Sequence, residues 1–153
     1  MIYRAFLIDT IGVVDNTARR VGAVAKILVC PDEWHGAGLR ALVDSSWTVL
    51  AQSRDGLMGG IVDAFDAAFA RNAELVVVSD ADSPLSLYEH LEACIAAGTA
   101  NDVALGPTID GGYYLVSARR AVKSSLPKLF LGAAYESSTI CRATAREATE
   151  LAL

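Results

Sequence analysis

Apolar positions along the chain recur with a helical spacing in some stretches and form short continuous runs in others, and the two kinds of stretch take turns. Residues 3–17 carry Phe6, Leu7, Ile11 and Val14 at helical spacing and predict a helix. Residues 21–30 then read as a β-branched strand closed by Pro31. A short helix is expected over residues 35–44 and a strand over residues 47–52. The clearest amphipathic helix covers residues 56–72, with Leu57, Ile61, Phe65, Ala68 and Phe69 on one face and Asp63, Asp66 and Arg71 off it. Residues 74–79 are apolar almost throughout, as befits a parallel strand covered on both faces.

Beyond Pro84, Ser86 and Glu89 form a capping box for a helix running to Ala97, with Gly98 as its stop. Short strands over residues 102–106 and 111–118, a loop containing Pro127, and a helix over residues 137–151 complete the chain. This alternation predicts an α/β fold, a three-layer αβα sandwich with a mostly parallel sheet, in one domain over residues 1–153.

Composition narrows the field. At 153 residues and 53% hydrophobic, the chain can bury a substantial core. A net charge of −5 with scattered basic residues argues against a nucleic-acid surface. Cys30, Cys94 and Cys141 lie far apart with no metal-ligand spacing, which suits reduced intracellular thiols. No apolar run approaches the roughly 18 residues of a membrane span, and the first residues lack the zones of a signal peptide, so a cytoplasmic protein with no membrane partner is expected.

Chemistry concentrates in two motifs. The apolar run ending in Ser79-Asp80-Ala81-Asp82-Ser83-Pro84 delivers two carboxylates to the carboxyl end of a strand, where open α/β sheets bind ligands. Asp80 and Asp82 are candidate ligands for Mg²⁺ or Mn²⁺, hard cations that take oxygen donors and bridge a protein to phosphates. The competing reading is a turn in which they cap the following helix. In Gly106-Pro107-Thr108-Ile109-Asp110-Gly111-Gly112-Tyr113-Tyr114-Leu115, the glycines either permit a tight turn between strands or let a sugar or phosphate lie against the backbone. In the second case Asp110 bonds sugar hydroxyls, and Tyr113 and Tyr114 flank the cleft.

Gln52 and Asp55-Gly56 sit at a strand-to-helix junction where free N–H groups attract an anionic group, although a plain loop explains them equally. His35 and His90 lack partners at metal spacing. No GxSxG elbow, Walker loop or GxGxxG is present.

Residues 52–56, the helix after them, Ala81-Asp82-Ser83-Pro84 and above all Gly106-Pro107 through Asp110-Gly111-Gly112-Tyr113-Tyr114-Leu115 resemble a bacterial family of glycosyltransferase-A-like (GT-A) nucleotide-diphospho-sugar transferases. The family's Asp-Cys-Pro after the central strand maps onto Asp82, Ser83 and Pro84. The resemblance implies a nucleotide-sugar or nucleotide ligand. It assigns metal binding to Asp82 with Asp80, a catalytic or sugar-binding role to Asp110, and substrate contacts to Gln52, Gly111, Gly112 and Tyr113.

Family members begin with a strand and a basic Gly-rich loop ahead of the helix that Tyr3-Arg4-Ala5-Phe6-Leu7 matches, so a shortened fold lacking that strand is expected. Tyr135-Glu136-Ser137-Ser138-Thr139 stands where the family has a Trp-Ser-Thr-like segment. The expected activity is metal-dependent glycosyl or nucleotidyl transfer; the alternative is an inactive relative serving as a binding or assembly module. Open strand edges also predict a homodimer.

Overall fold

The computed structural model describes residues 2–83, 88–132 and 138–153. Helix α1 (Ile2–Val21) outruns its apolar pattern, with Arg19 and Arg20 in the last turn, where cations complement the helix dipole. Gly22, at φ +66°, turns the chain left-handed after it. That exit removes residues 21–25 from the expected strand and confines β1 to Lys26–Cys30. Asp32 caps α2 (Glu33–Arg40) by accepting from His35 N at 2.9 Å. Next come β2 (Trp47–Ala51), α3 (Gly56–Phe69) and β3 (Leu75–Ser79). They are followed by α4 (Tyr88–Ala100), β4 (Val103–Pro107) and β5 (Tyr113–Arg119). A 3₁₀ turn (Arg120–Ser125), α5 (Leu126–Leu131) and α6 (Ile140–Glu150) close the order.

The α/β class holds, but the expectation of a mostly parallel sheet does not. β1 and β2 pair in parallel, Lys26 opposite Trp47 through Cys30 opposite Ala51. β5 lies between β3 and β4 and runs antiparallel to both. The cause is local: five residues join β4 to β5, and so short a connection can only return the chain antiparallel.

Three smaller expectations also change. Gly98 does not end α4; it lies inside the helix, where a Cβ would press on Ser117 and on Leu75 Cδ1. Pro127 belongs to the first turn of α5, where its missing N–H has no partner to lose. On α3, Leu57 is 73% exposed and Asp63 only 5%. The Ser86 capping box lies outside the described residues.

Alternation along β5 separates two apolar clusters. Val116 and Ala118 join Ile61, Val62, Phe65, Phe69, Leu126, Leu129 and Phe130 on the α3 and α5 face. Phe65 stacks on Phe69 at 6.0 Å and on Phe130 at 5.8 Å between centroids, geometry that adds to plain burial. Leu115 turns the other way and meets Leu91 and Cys94 of α4, with Val13 and Val14 of α1 packed against them. All three cysteines are free thiols. No described helix is long and apolar enough to cross a membrane.

Candidate functional site

The register that sets Ser79 opposite Leu115 brings the end of β3 beside the start of β5, so the two sequence motifs meet at one end of the sheet. Asp80 N donates to Tyr114 O at 3.1 Å, which continues the ladder one residue past β3. The Asp80 carboxylate accepts from Ser83 Oγ at 2.9 Å on Oδ2. Its Oδ1 is buried and has no hydrogen-bond partner among the described residues. Burial raises the Asp80 pKa above the usual carboxylate range; the Ser83 bond opposes the rise and the Asp82 charge adds to it. Asp82 is exposed. Among the described residues no group of three or more His, Cys, Asp or Glu side chains could hold a metal, so these two carboxylates stand by themselves.

Asp110 is built into the turn between β4 and β5. Thr108 N donates to Gly112 O at 3.0 Å and Gly111 N to Thr108 O at 3.2 Å. Asp110 Oδ1 accepts from the Thr108 hydroxyl and from Gly112 N. These bonds, the hydroxyl first, hold the exposed carboxyl below its ordinary pKa. Gly111 has φ +92°, and a Cβ there would overlap the Ser138 carbonyl. Its own carbonyl accepts from Cys141 N at 3.0 Å, which ties the turn to the first turn of α6. A Cβ on Gly112 would come 2.9 Å from Thr108 Oγ1. Contacts within the protein therefore account for both glycines, with backbone at Gly111 and with the Thr108 side chain at Gly112.

The two tyrosines part company, and the register irregularity between Gly106 and Pro107 sets each on the face opposite to the one that the alternation of Leu115 and Val116 predicts. Tyr113 packs against the α3 and α5 core, its hydroxyl 3.5 Å from Met58 Sδ, and burial raises its pKa. Tyr114 packs with the α4 cluster, edge-on to His90 at 5.8 Å.

Gln52 begins the loop that enters α3, and its Nε2 donates to Gly56 O at 3.4 Å. The loop rests directly on the helix: a Cβ on Gly59 would come 2.7 Å from Arg54 Cβ, and one on Gly60 2.8 Å from Gln52 Oε1. The residue that shapes it is Asp63, which the sequence pattern placed on an outer face. Its carboxylate accepts from Ser53 N, from Arg54 N at 3.0 Å, from Ser53 Oγ at 3.0 Å and from the Arg54 guanidinium. Arg54 also pairs with Asp66 at 3.0 Å. Burial alone would raise the Asp63 pKa; the bonds from Ser53 and Arg54 outweigh it and leave the pKa lowered. Leu50, Ser53, Arg54, Asp63 and Asp66 line an open cavity of about 400 Å³. The signal for Asp63 was an acidic residue flanked by Ile61, Val62 and Phe65, a place that a carboxylate occupies only when bonded.

Among known proteins, residues 13–137 match the family described as uncharacterized proteins conserved in bacteria, DUF2064. The whole chain superposes on the crystal structure of a protein from Desulfovibrio desulfuricans G20, provisionally identified as a nucleotide-diphospho-sugar transferase, with a TM-score of 0.78 and 25% sequence identity. The chain spans 64% of the length of that protein. No curated protein matches it.

Proposed function

The chain belongs to the DUF2064 family of bacterial proteins, and from that premise we propose that it binds a nucleotide-diphospho-sugar at the carboxyl end of β3, as part of a metal-dependent glycosyl or nucleotidyl transferase. One observation carries the reading: a buried carboxylate oxygen of Asp80, beside Asp82, has no hydrogen-bond partner among the described residues. Buried polar atoms are nearly always satisfied, and a divalent cation satisfies this one in kind.

Asp80 and Asp82 would hold Mg²⁺ or Mn²⁺. Two carboxylates leave most of the shell to water and to the diphosphate. When bound, the metal supplies neutralisation of charge on the diphosphate. The lowered pKa of Asp110 suits it to accept hydrogen bonds from sugar hydroxyls rather than to take up a proton near neutrality. Gln52, Gly111, Gly112 and Tyr113 act in this proposal by fixing the walls around the ligand.

Asp80→Asn tests the metal. The raised pKa means that Asp80 favours the fold below the ordinary carboxylate range, a contribution lost as pH rises through the raised value. The neutral amide is therefore expected to leave the melting temperature of the free protein at pH 7 unchanged or higher. Nucleotide-sugar with Mn²⁺, at a hundred times Kd, is expected to stabilise the unsubstituted protein by about 2.7 kcal/mol. Asp80→Asn should lose most of that shift. A variant that keeps the Mn²⁺-dependent shift removes the metal from Asp80.

Asp110→Asn is expected to keep the turn, because the amide oxygen can still accept from Thr108 and Gly112. Melting should hardly move, while nucleotide-sugar affinity or turnover falls by about a hundredfold. Equal ligand affinity in both proteins would confine Asp110 to the turn.

A further inference from the structure

Among the described strands β2 pairs with β1 alone, so its far side is an open edge. Gln52 N donates to Cys30 O at 2.8 Å, and because backbone groups along a strand point to alternate sides, Thr48, Leu50 and Gln52 bond toward β1. The N–H and C=O groups of Trp47, Val49 and Ala51 therefore face outward. Edge strands are normally blunted by charge, proline or a bulge. β4 is guarded in this way: it ends in Gly106-Pro107 with a register irregularity between them, and α6 packs against it. β2, Trp-Thr-Val-Leu-Ala, has no charge and no proline, and it follows β1 without a break in register.

The sequence along this edge is complementary to its own reversal. Outward from Val49, Thr48 mirrors Leu50, Trp47 mirrors Ala51, Ser46 and Ser45 mirror Gln52 and Ser53, and Asp44 mirrors Arg54. The charges within residues 44–54 are Asp44 and Arg54, so opposite signs occupy mirrored positions. Asp44 is exposed. The Arg54 side chain stays 36% exposed on the wall of the open cavity beside Leu50 and Ala51, where Arg54 and Lys123 together offset Asp63 and Asp66.

We infer that β2 is a dimerisation edge, which pairs antiparallel with β2 of a second copy about a two-fold axis at Val49 and joins the two β1–β2 sheets into one. Val49 exchanges both backbone bonds with the partner's Val49. Trp47 N already donates to Asp44 O at 3.2 Å, so at each end Ala51 N donates to the carbonyl of the partner's Trp47. The large Trp47 side chain falls beside the small Ala51, and the turn that carries Asp44 approaches the cavity wall that carries the partner's Arg54. The position of the axis follows from the outward-facing residues. Moved to Trp47 or Ala51, it would leave outward backbone groups unpaired and would set neither charge against its opposite. The inference is independent of the ligand proposed above.

Sedimentation velocity of the full chain, from low micromolar to near-millimolar protein, should show monomer giving way to dimer. Residue-resolved amide exchange over the same series should slow at Val49 and Ala51 by about tenfold or more once dimer dominates, while Thr48 and Leu50, bonded to β1, exchange slowly throughout. Val49→Pro removes the central outward N–H and spares the bonds to β1, a place where edge strands accept proline. It should abolish the dimer and leave the far-UV circular dichroism of the monomer unchanged. Asp44→Arg leaves β2 intact and sets like charges against each other at both ends, so it should weaken association by about tenfold or more. Monomer at every concentration overturns the inference. So does a dimer in which Val49 and Ala51 exchange as fast as in the monomer, or one that Asp44→Arg and a folded Val49→Pro form as readily as the unsubstituted chain. If Val49→Pro does not fold, the alternating protection and Asp44→Arg decide the matter.

Discussion

Asp63→Ala is expected to destabilise the protein by about 3 kcal/mol, because it removes the buried acceptor that holds the loop entering α3. The carboxylate serves Ser53 N, Arg54 N and Ser53 Oγ and faces the Arg54 guanidinium. Each buried donor left unsatisfied costs about 1–3 kcal/mol, and water entering the open cavity recovers part of that. The exposed Arg54–Asp66 pair adds little of its own. Urea unfolding measures the loss, and amide exchange locates it: residues 53–56 should open in the variant while β5 stays protected. Asp63→Asn, which keeps one acceptor oxygen, should cost less than half as much.

The pH dependence follows the same bonds. Asp63 has a lowered folded pKa, so its contribution is complete above the ordinary carboxylate range and is lost as pH falls through the folded value. A loss in Asp63→Ala below about 1 kcal/mol would mean that the loop is held by Gln52 and the packing at Gly59 instead.

Gly111→Ala is expected to cost about 3 kcal/mol or more, since two penalties coincide. A φ of +92° is unfavourable for any residue with a Cβ, by roughly 1–2 kcal/mol. The Cβ would also overlap the Ser138 carbonyl, and relieving such overpacking typically costs another 1–3 kcal/mol. Backbone cannot yield as a side-chain tip does, so the start of α6 must shift and the bond from Cys141 N to Gly111 O should break. Thermal unfolding gives the magnitude. Faster exchange of the Cys141 amide gives the mechanism, and retention of its protection would show that the turn adapts without moving α6.

How much of this was legible in the sequence depended on whether the determinants were local. The β3 run and its two aspartates were readable because an apolar run that gives way to Asp-X-Asp marks a strand end, and the structure ends β3 just before Asp80. The Asp-Gly-Gly turn was visible too, yet its antiparallel consequence was missed once strand–helix alternation had suggested a parallel sheet. Gly98 was misread because α4 continues past it for a reason found in another element, the Ser117 side chain on β5. Asp63 was hidden for the same reason. Helical periodicity reports which face a residue occupies, while its partners, Ser53 and Arg54, arrive by way of a loop nine and ten residues earlier. Tyr113 and Tyr114 looked like a pair, but they lie on opposite faces, each shifted off the alternation of the rest of β5 by the register irregularity at Gly106 and Pro107.

The close seat of Gly98 on β5 also limits how this sequence can drift. Ser117 is fully buried and donates to Cys94 O at 3.2 Å, so its hydroxyl is fixed where an alanine methyl at position 98 would stand. Each position sets the size allowed at the other. A lineage that enlarges residue 98 has to shrink residue 117, and the order matters: Ser117→Gly first opens room at the price of a weaker strand, whereas Gly98→Ala first passes through a clash. The two sites are 19 residues apart in the chain and on different elements, yet residue 98 can grow only once residue 117 and the Leu75 side chain beside it make room.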